Sequence, residues 1–251
     1  AVQFSQGLGR AVMIRKTEAI VLNTRKFGDT SLICTMYTRA YGRRNFIIKG
    51  YRSTRARKRH SYFQPMSMID IVYYHKDNRD LQMITESSNR YFLQTLQTDP
   101  IKITLGMVVM EVFHQTVKEE EPNDPLFAFL DNVLAELDRR EKHLIHVFLH
   151  FLVQLSSFLG FLPSDMVEDP SKPIHFDLRN GFLENGLIAD KGAWMTLAFS
   201  RLDLSNCHQI PVTQADKNDL ISAMMEYYQI HVEGFRIPES LAVFQEIFGD
   251  R

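Results

Sequence analysis

The sequence predicts an α+β protein in which a small strand-rich module precedes a larger, mostly helical one. Short alternating apolar segments fill residues 17–87, whereas apolar residues recur at helical spacing from residue 89 onward. Charge divides at the same place, because residues 1–86 hold 16 basic and six acidic residues and the remainder holds 13 basic and 24 acidic residues. These observations indicate two modules, the first carrying +10 and suited to a polyanion, the second carrying −11.

The composition of the whole chain excludes several classes of protein. Its 251 residues are 45% hydrophobic and 24% charged, as in a soluble globular protein able to bury a core. Cys34 and Cys207 lie far apart and indicate neither a disulfide framework nor a four-thiolate zinc site. The most apolar stretch, residues 146–162, is broken by polar residues, so no membrane span is expected. Residues 1–12 are small, polar and aperiodic, and we expect a leader or an added extension there.

Five strands are predicted in the first module, enough for a small barrel or sheet. They cover residues 18–24, 31–38, 44–48, 67–74 and 81–85. Tyr41-Gly42 is the predicted turn between the second and third strands, and the polar residues 76–80 connect the fourth and fifth. A long basic loop, residues 50–62, separates the third strand from the fourth.

Helices are predicted through the second module. The strongest pattern follows Asp124, predicted as the N-cap, and Pro125, predicted as the first helical residue. Its apolar positions, at i, i+3, i+4, i+7 and i+11, are Leu126, Phe129, Leu130, Val133 and Leu137. Further helices are expected at residues 89–97, 101–118, 142–159, 213–231 with Thr213 as N-cap, and 238–248. Prolines and glycines between residues 160 and 192 indicate irregular structure, with short strands at 176–178 and 181–183.

The strongest candidate for a functional surface is a run of nine basic residues in the first module. No carboxylate occurs between Asp29 and Asp70. The nine cations are Arg39, Arg43, Arg44, Lys49, Arg52, Arg55, Arg57, Lys58 and Arg59. Because like charges repel one another, a mere surface loop would be expected to dilute them with anions.

This run suits nucleic acid. Cations neutralise phosphates and release counterions, while aromatic side chains stack on any base. Tyr41 and Tyr51 are the aromatic candidates for stacking, whereas Tyr37 and Phe46 are expected to fill the barrel. The pattern therefore favours binding to single strands or to duplex backbone without sequence readout.

Catalytic and metal chemistry are weakly supported. His143, His146 and His150 share one helical face, but a satisfied polar stripe explains them better than a metal site does. Cys34 is expected in the core and Cys207 partly exposed. Because no nucleotide-binding loop or nucleophile motif is present, we expect no catalytic residue, no metal and no cofactor.

Four segments of the first module form a distinctive series: they read TEAIVL at residues 17–22, FGD at 27–29, YTRAYGR at 37–43 and IKGYR at 48–52. Together they resemble the RecO family of bacterial recombinational-repair mediators. The resemblance extends through Gln64-Pro65 and Asp80-Leu81-Gln82, and more weakly through the helical part to Leu241. It covers essentially the whole chain from Met13.

The resemblance implies an OB-type barrel at residues 13–87 that binds single- and double-stranded DNA. It implies a helical domain at 88–251 that docks protein partners. Members of the family anneal complementary strands, engage the acidic C-terminal tail of single-strand-binding protein, and work with RecR to load RecA onto coated DNA. The implied role is not enzymatic, needs no membrane partner, and belongs in the cytoplasm near the nucleoid. The DNA-contacting cations would lie around the Tyr41-Gly42-Arg43 turn and in the loop after it.

One departure from the family concerns zinc. Many members hold a zinc ion with four cysteines where this chain has residues 163–181, and that stretch contains no cysteine here. We therefore expect no zinc. Packing of Phe161, Phe176, Leu178 and Phe182 on the helices would have to hold this region instead.

Two other functions remain open at this stage. An RNA-binding OB protein would use the same cations, and a metal-dependent enzyme would use the histidine stripe. Comparing RNA with single-stranded DNA at matched salt separates the first from a DNA mediator. Metal content of the purified protein tests the second.

Reversing three loop cations together, with Arg55→Glu, Arg57→Glu and Arg59→Glu, should lower DNA affinity several-fold or more at physiological salt. The loop contains no carboxylate and its cations are expected to face solvent, so thermal stability should stay nearly unchanged. Fluorescence anisotropy with labelled single-stranded DNA and a thermal melt measure the two effects. Unaltered affinity in a folded triple variant would show that the loop is not the DNA site.

Overall fold

A computed structural model describes residues 13–50, 62–76, 79–169, 171–187, 190 and 192–248. Within these residues the order is five strands, three helices, three strands and three helices, which confirms the predicted α+β class. The chain divides into two compact units. Unit 1 comprises Ala1–Tyr91 with Glu120–Pro122, and unit 2 comprises Phe92–Glu119 with Asn123–Arg251. The predicted leader, residues 1–12, lies outside the described residues.

Unit 1 is a closed five-stranded barrel. Its strands are β1 (Met13–Phe27), β2 (Ser31–Thr38), β3 (Gly42–Ile48), β4 (Met68–His75) and β5 (Leu81–Asn89). Neighbouring strands follow the order β1-β2-β3-β5-β4, and β4 pairs with β1 to close the barrel. Only β3 and β5 run parallel among these pairs. This arrangement is the five-stranded OB-type barrel that the sequence predicts.

The first strand is much longer than predicted and carries the closure. β1 has 15 residues, of which 13–20 pair with β4 and 19–27 pair with β2. A register shift between Val21 and Asn23 marks a β-bulge, which bends the strand from one partner to the other. The apolar alternation reveals only the centre of β1, because basic residues occupy both of its ends.

The barrel interior is filled by apolar side chains from all five strands and the segment before β4. Fully buried members include Cys34 and Phe46, as predicted, and Phe63 anchors the return of the chain from the basic loop. Burial raises the pKa of the Cys34 thiol to about 12. The thiol therefore stays protonated and acts as a small apolar core residue.

Gln82 holds the β4–β5 connection in place. Its buried side chain accepts a hydrogen bond from the Lys76 amide at 3.0 Å and donates to the carbonyls of Lys76 and Arg79. The tip of this connection, Asp77 and Asn78, lies outside the described residues. A glutamine at this position thus has a structural role in closing the turn.

Unit 2 is built around a central apolar helix. Its helices are α1 (Pro100–Thr116), α2 (Asp124–Arg139), α3 (Leu144–Phe158), α4 (Ala193–Ser200), α5 (Gln214–His231) and α6 (Glu239–Phe248). α3 packs against α1, α2, α4 and α5. As predicted, Thr213 caps α5, forming a reciprocal capping box with Asp216.

Several helix predictions are wrong. Residues 89–97 form no helix, because β5 continues to Asn89 and turns follow it. Asp124 is not the N-cap of α2, because the Asn123 side chain accepts the Leu126 amide at 3.0 Å and Asp124 is already helical. α4 was not predicted, since glycine and proline around it mask its short apolar pattern.

The region without cysteines forms a three-stranded sheet. Its strands are β6 (Ser164–Met166), which was not predicted, β7 (Ile174–Asp177) and β8 (Phe182–Asn185), in the order β6-β8-β7. The Phe161 ring lies 5.5 Å from that of Tyr227 and 5.4 Å from that of His231, both on α5. Phe176 lies 5.0 Å from Tyr227, so aromatic packing on a helix holds this region, as predicted for Phe161 and Phe176. In the described part of the chain, no helix is long and apolar enough to cross a membrane.

A buried carboxylate holds the segment before α1, where a helix was predicted, in a non-helical conformation. Asp138, at the end of α2, is 5% exposed and accepts the amides of Thr95 and Leu96 at 2.8 Å each and that of Gln94 at 3.0 Å. Burial alone would raise the pKa of Asp138, but the Leu96, Thr95 and Gln94 amides outweigh it and hold this pKa below its usual 3.8. The carboxylate thus fixes residues 94–96 in a non-helical turn.

Asp138→Asn should lower the free energy of unfolding by about 1–3 kcal/mol at pH 7, because the amide offers one acceptor where the carboxylate offers two. The folded-state pKa of Asp138 is depressed, so its contribution is present above the unfolded value of 3.8 and is lost as pH falls through the folded value. Urea titrations at pH 7 and in acid should therefore show a difference between variant and unmodified protein that shrinks in acid. The exposed Asp29→Asn is the control, and an equal loss in both variants would contradict this role.

Candidate nucleic-acid interface

The strand register separates the predicted cations between two ends of the barrel. β3 starts beside the turn after β2 with Arg43 and Arg44, and it leads at its far end into Lys49. A strand of this length spans roughly 20 Å. We call the end of the barrel with Arg43 and Arg44 the β2–β3 end. We call the end with Lys49 the β1–β2 end, because the β1–β2 turn at residues 28–30 lies beside Lys49.

At the β2–β3 end, Arg39 is paired with an acidic side chain. Its Nε lies 3.2 Å from the Glu18 carboxylate, and Nε of Arg90 lies 3.4 Å from the same oxygen. The Arg39 amide also donates to the Glu18 carbonyl at 3.0 Å. Glu18 thus ties β1 to the segments that follow β2 and β5, and it offsets much of the Arg39 charge.

Arg44 is held on two sides. Its Nε donates to the Tyr41 carbonyl at 3.1 Å, while its terminal nitrogens donate to the carboxylate and, at 3.0 Å, to the carbonyl of Glu120. Arg43 lies half-buried on the opposite face of β3, across from Tyr37. Arg44 therefore lies on the same face of β3 as the core residue Phe46, and Arg43 lies on the other face.

Tyr41 belongs to an aromatic cluster at this same end. Its ring lies 6.0 Å from Tyr73 edge-on and 6.3 Å from His75 nearly parallel, and the Arg15 guanidinium lies 5.6 Å from its centre. Burial, followed by the Tyr41 hydroxyl, raises the pKa of Tyr73 to about 12 against the lowering effect of Arg44 and Arg15. These rings pack on the core, which leaves Tyr41 less of its surface for a base than the sequence suggests.

The β1–β2 end carries three exposed cations that form no ion pair with a carboxylate in the described part of the chain. Lys26 of β1 is opposite Leu32, which is opposite Ile48, so Lys26 lies about 10 Å from the end of β3 and close to Lys49. Arg25, Lys26 and Lys49 are all exposed, and no carboxylate among the described residues forms an ion pair with them. Between Lys26 and the turn, Phe27 has 51% of its surface exposed.

Six predicted site residues lie outside the described residues: Tyr51, Arg52, Arg55, Arg57, Lys58 and Arg59. Their place in the chain is nevertheless defined on both sides. Lys49 and Gly50 lead into this segment at the β1–β2 end, and Phe63 returns the chain to the barrel core. The six residues stay predicted contacts.

Sequence reasoning missed Arg25, Lys26 and Phe27. They precede Arg39, the first of the nine cations, by more than ten residues and are separated from it by Asp29. Only the pairing of β1 with β2 and of β2 with β3 brings them beside Lys49. The FGD segment that carries part of the family resemblance begins with Phe27 and was the available signal.

Two of the three histidines predicted to share a helical face lie on α3 and are hydrogen-bonded through Nε2, but His143 is the left-handed residue that precedes the helix, so that part of the prediction is wrong. Nε2 of His146 lies 2.9 Å from the Ile210 carbonyl, and that of His150 lies 2.9 Å from the Leu202 carbonyl. Burial lowers the pKa of both imidazoles, which favours the neutral form. No group of three or more metal-ligating side chains comes together within the described ranges. Cys207 is fully buried, so the expectation that it is partly exposed is wrong.

Two family models and several known proteins are similar to this chain. The family model described as Recombination protein O N terminal matches residues 13–91, and that described as Recombination protein O C terminal matches residues 97–165. A DNA repair protein RecO of Christiangramia forsetii is 32% identical over 243 residues, 94% of this chain and 100% of that protein. The chain belongs to the RecO family.

Other RecO relatives are similar over nearly the same length. That of Phocaeicola vulgatus is 31% identical over 242 residues, covering 94% of this chain and 100% of the relative. That of Flavobacterium johnsoniae is 29% identical over 238 residues, covering 93% and 98%. The resemblance seen in the sequence is thus confirmed, and the chain is a member of a family of DNA repair and recombination proteins.

In this RecO family member, Lys26→Gln combined with Lys49→Gln should lower affinity for single-stranded DNA several-fold. It should also flatten the dependence of log affinity on log salt by about 0.7 for each phosphate that is no longer neutralised. Arg39→Gln combined with Arg90→Gln is the control, because two positive charges are lost there as well, but beside Glu18, which already offsets part of them. Anisotropy titrations at several salt concentrations measure both effects. Equal losses in the two variants would show that the β1–β2 end has no special part in binding.

Proposed function

We propose that this chain is a non-catalytic recombination mediator whose barrel binds and anneals single-stranded DNA. In this proposal its helical unit recruits single-strand-binding protein and RecR so that RecA is loaded onto coated DNA. The observation that carries the proposal is the β1–β2 end of the barrel. There the exposed Arg25, Lys26 and Lys49, unpaired with any described carboxylate, adjoin a loop sequence of five further cations.

Binding at this end would depend on phosphates more than on bases. Each cation that meets a phosphate releases condensed counterions, a gain that is independent of sequence. Phe27 supplies an exposed aromatic face beside these cations, and stacking is equally tolerant of sequence. A mediator must act on whatever sequence is damaged, so both properties match the proposed role.

Annealing also follows from charge. Two complementary strands repel each other, and a cationic surface that contacts both lowers that repulsion. The sequence after residue 86 carries −11, which disfavours DNA on unit 2 and leaves that unit for protein partners.

One cavity of unit 2 has the chemistry for an acidic peptide with an apolar end, such as the tail of single-strand-binding protein. It has a volume of about 270 Å³ and lies among α1, α3, α5 and α6. Leu105, Ile145 and Phe244 contribute apolar lining, Lys142 and the buried Lys217 contribute positive charge, and Glu141 contributes one negative charge. This combination supports placing the tail there.

The proposal is tested by annealing complementary strands under three conditions: naked, coated with single-strand-binding protein, and coated with the same protein lacking its acidic tail. We expect annealing of naked strands and of strands coated with the intact protein, with a loss when the tail is removed. The affinity for naked single strands should fall with salt at a slope of roughly −3 to −4, the value for four to six phosphate contacts.

Two outcomes would contradict the proposal. A salt slope near zero, or a strong preference for one short sequence, would indicate readout of base edges instead of backbone binding. Tighter binding to RNA than to single-stranded DNA at matched salt would indicate an RNA-binding protein.

A further inference from the structure

Within unit 1, Glu120 binds the guanidinium of Arg44, a group that could also bind other anions. Glu120 belongs, with residues 121 and 122, to the same compact unit as the barrel. Its carboxylate and its backbone carbonyl accept hydrogen bonds from the two terminal nitrogens of Arg44. Two oxygens of one residue therefore take both arms of a guanidinium that stands among the predicted DNA-contacting cations.

The Arg44 side chain is already oriented for such a ligand. Its Nε donates to the Tyr41 carbonyl at 3.1 Å, which fixes the plane of the guanidinium and leaves the terminal nitrogens directed outward. A fixed guanidinium binds a phosphate through the same paired geometry that it uses for a carboxylate. The donors that Glu120 occupies are thus the donors that a phosphodiester would use.

The exposure of Glu120 allows its side chain to separate from Arg44 at little cost. Its side chain is 64% exposed, whereas that of Arg44 is 29% exposed. Exposed ion pairs contribute little stability and are screened by salt. Glu120 also lies in the middle of three consecutive glutamates at residues 119–121, a local concentration of negative charge that resembles a short polyanion.

We infer that Glu120 acts as an internal stand-in for a DNA phosphate at Arg44, and that single-stranded DNA binds by displacing it. The inference rests on the proposed DNA-binding function and adds regulation to it. A polyanion that already contacts other cations of the barrel presents its next phosphate at high effective concentration and displaces Glu120, whereas a free anion does not. The contact thereby selects extended nucleic acid over small phosphates.

The test compares Glu120→Gln with Glu121→Gln in the whole 251-residue chain. Both remove one negative charge from the same segment, but Glu121 forms no ion pair with a described residue. Glu120→Gln should raise affinity for an oligothymidine strand about three- to tenfold and steepen the salt slope by about 0.7, the value for one added phosphate contact. Glu121→Gln should change both by much less.

A second experiment repeats the Glu120→Gln substitution in a variant that lacks the Arg44 guanidinium. In an Arg44→Gln background, adding Glu120→Gln should leave affinity unchanged, because the site that Glu120 blocks is gone. Equal gains from Glu120→Gln and Glu121→Gln would reduce the effect to net charge and overturn the inference. A lower melting temperature with unchanged affinity would show that the contact is only structural, and it would overturn the inference too.

Failure of the inference differs from failure of the proposed function. If the unmodified protein binds DNA with the expected salt dependence and Glu120→Gln does not alter it, only the displacement of Glu120 is wrong. If neither the unmodified protein nor any variant binds single-stranded DNA, the proposed function itself is wrong, and the inference is overturned with it.

Discussion

The barrel depends on one constraint, that β1 is hydrogen-bonded along both of its edges. Residues 19 and 20 pair with β2 on one side and with β4 on the other, which closes the sheet and removes its free edges. A closed barrel has a fixed register, so the place of each basic side chain follows from its position along its strand. The separation of Arg44 from Lys49, and the approach of Lys26 to Lys49, are consequences of that register.

Charge imposes a second constraint on the same fold. A small barrel with a large excess of basic residues is destabilised by its own repulsion unless anions are placed against some of them. Glu18 lies against Arg39 and Arg90, and Glu120 lies against Arg44, so these carboxylates pair with arginines whose side chains are partly buried. The exposed cations at the β1–β2 end are left to solvent, where repulsion is screened and a polyanion can replace the missing partners.

The sequence predicted correctly those helices and strands whose signals lie within a few neighbouring residues. The five strands, the apolar stripe of α2 and the capping box at Thr213 follow from alternation, helical spacing and side-chain caps within a few residues. The length of β1 could not be predicted, because its basic ends belong to the strand only through pairing with β2 and β4. Residues 94–96 read as helical, but a carboxylate about 40 residues away, that of Asp138, takes their amides.

The residues of the candidate site also fall into those visible in the sequence and those that only the fold reveals. Composition and the family resemblance identified the cationic module and the loop after β3, since a carboxylate-free run is visible in the sequence itself. They could not distinguish Arg39, which Glu18 neutralises across 21 residues, from Lys49, which no described carboxylate approaches. They also passed over Phe27, whose exposure at the cationic end is a product of the β1–β2 turn. Which cations are available to a ligand is a tertiary property.

The three-stranded sheet of unit 2 is held by aromatic packing against a helix. Phe161 lies against Tyr227, Tyr228 and His231, all from the last turns of α5. Burial raises the pKa of Tyr227 to about 12, so its hydroxyl stays protonated and donates to the Phe161 carbonyl at 2.7 Å. Gly181 (φ 70°) passes so close to this hydroxyl that an added Cβ would lie 2.6 Å from it.

Aromatic packing ties these strands to a helix. Tyr228 continues the connection, because its hydroxyl donates to the Leu152 carbonyl of α3 at 2.9 Å. The sheet, α5 and the central helix are therefore joined through adjacent residues of one helical turn. A change in the packing of α5 must therefore alter both the sheet and the core of unit 2.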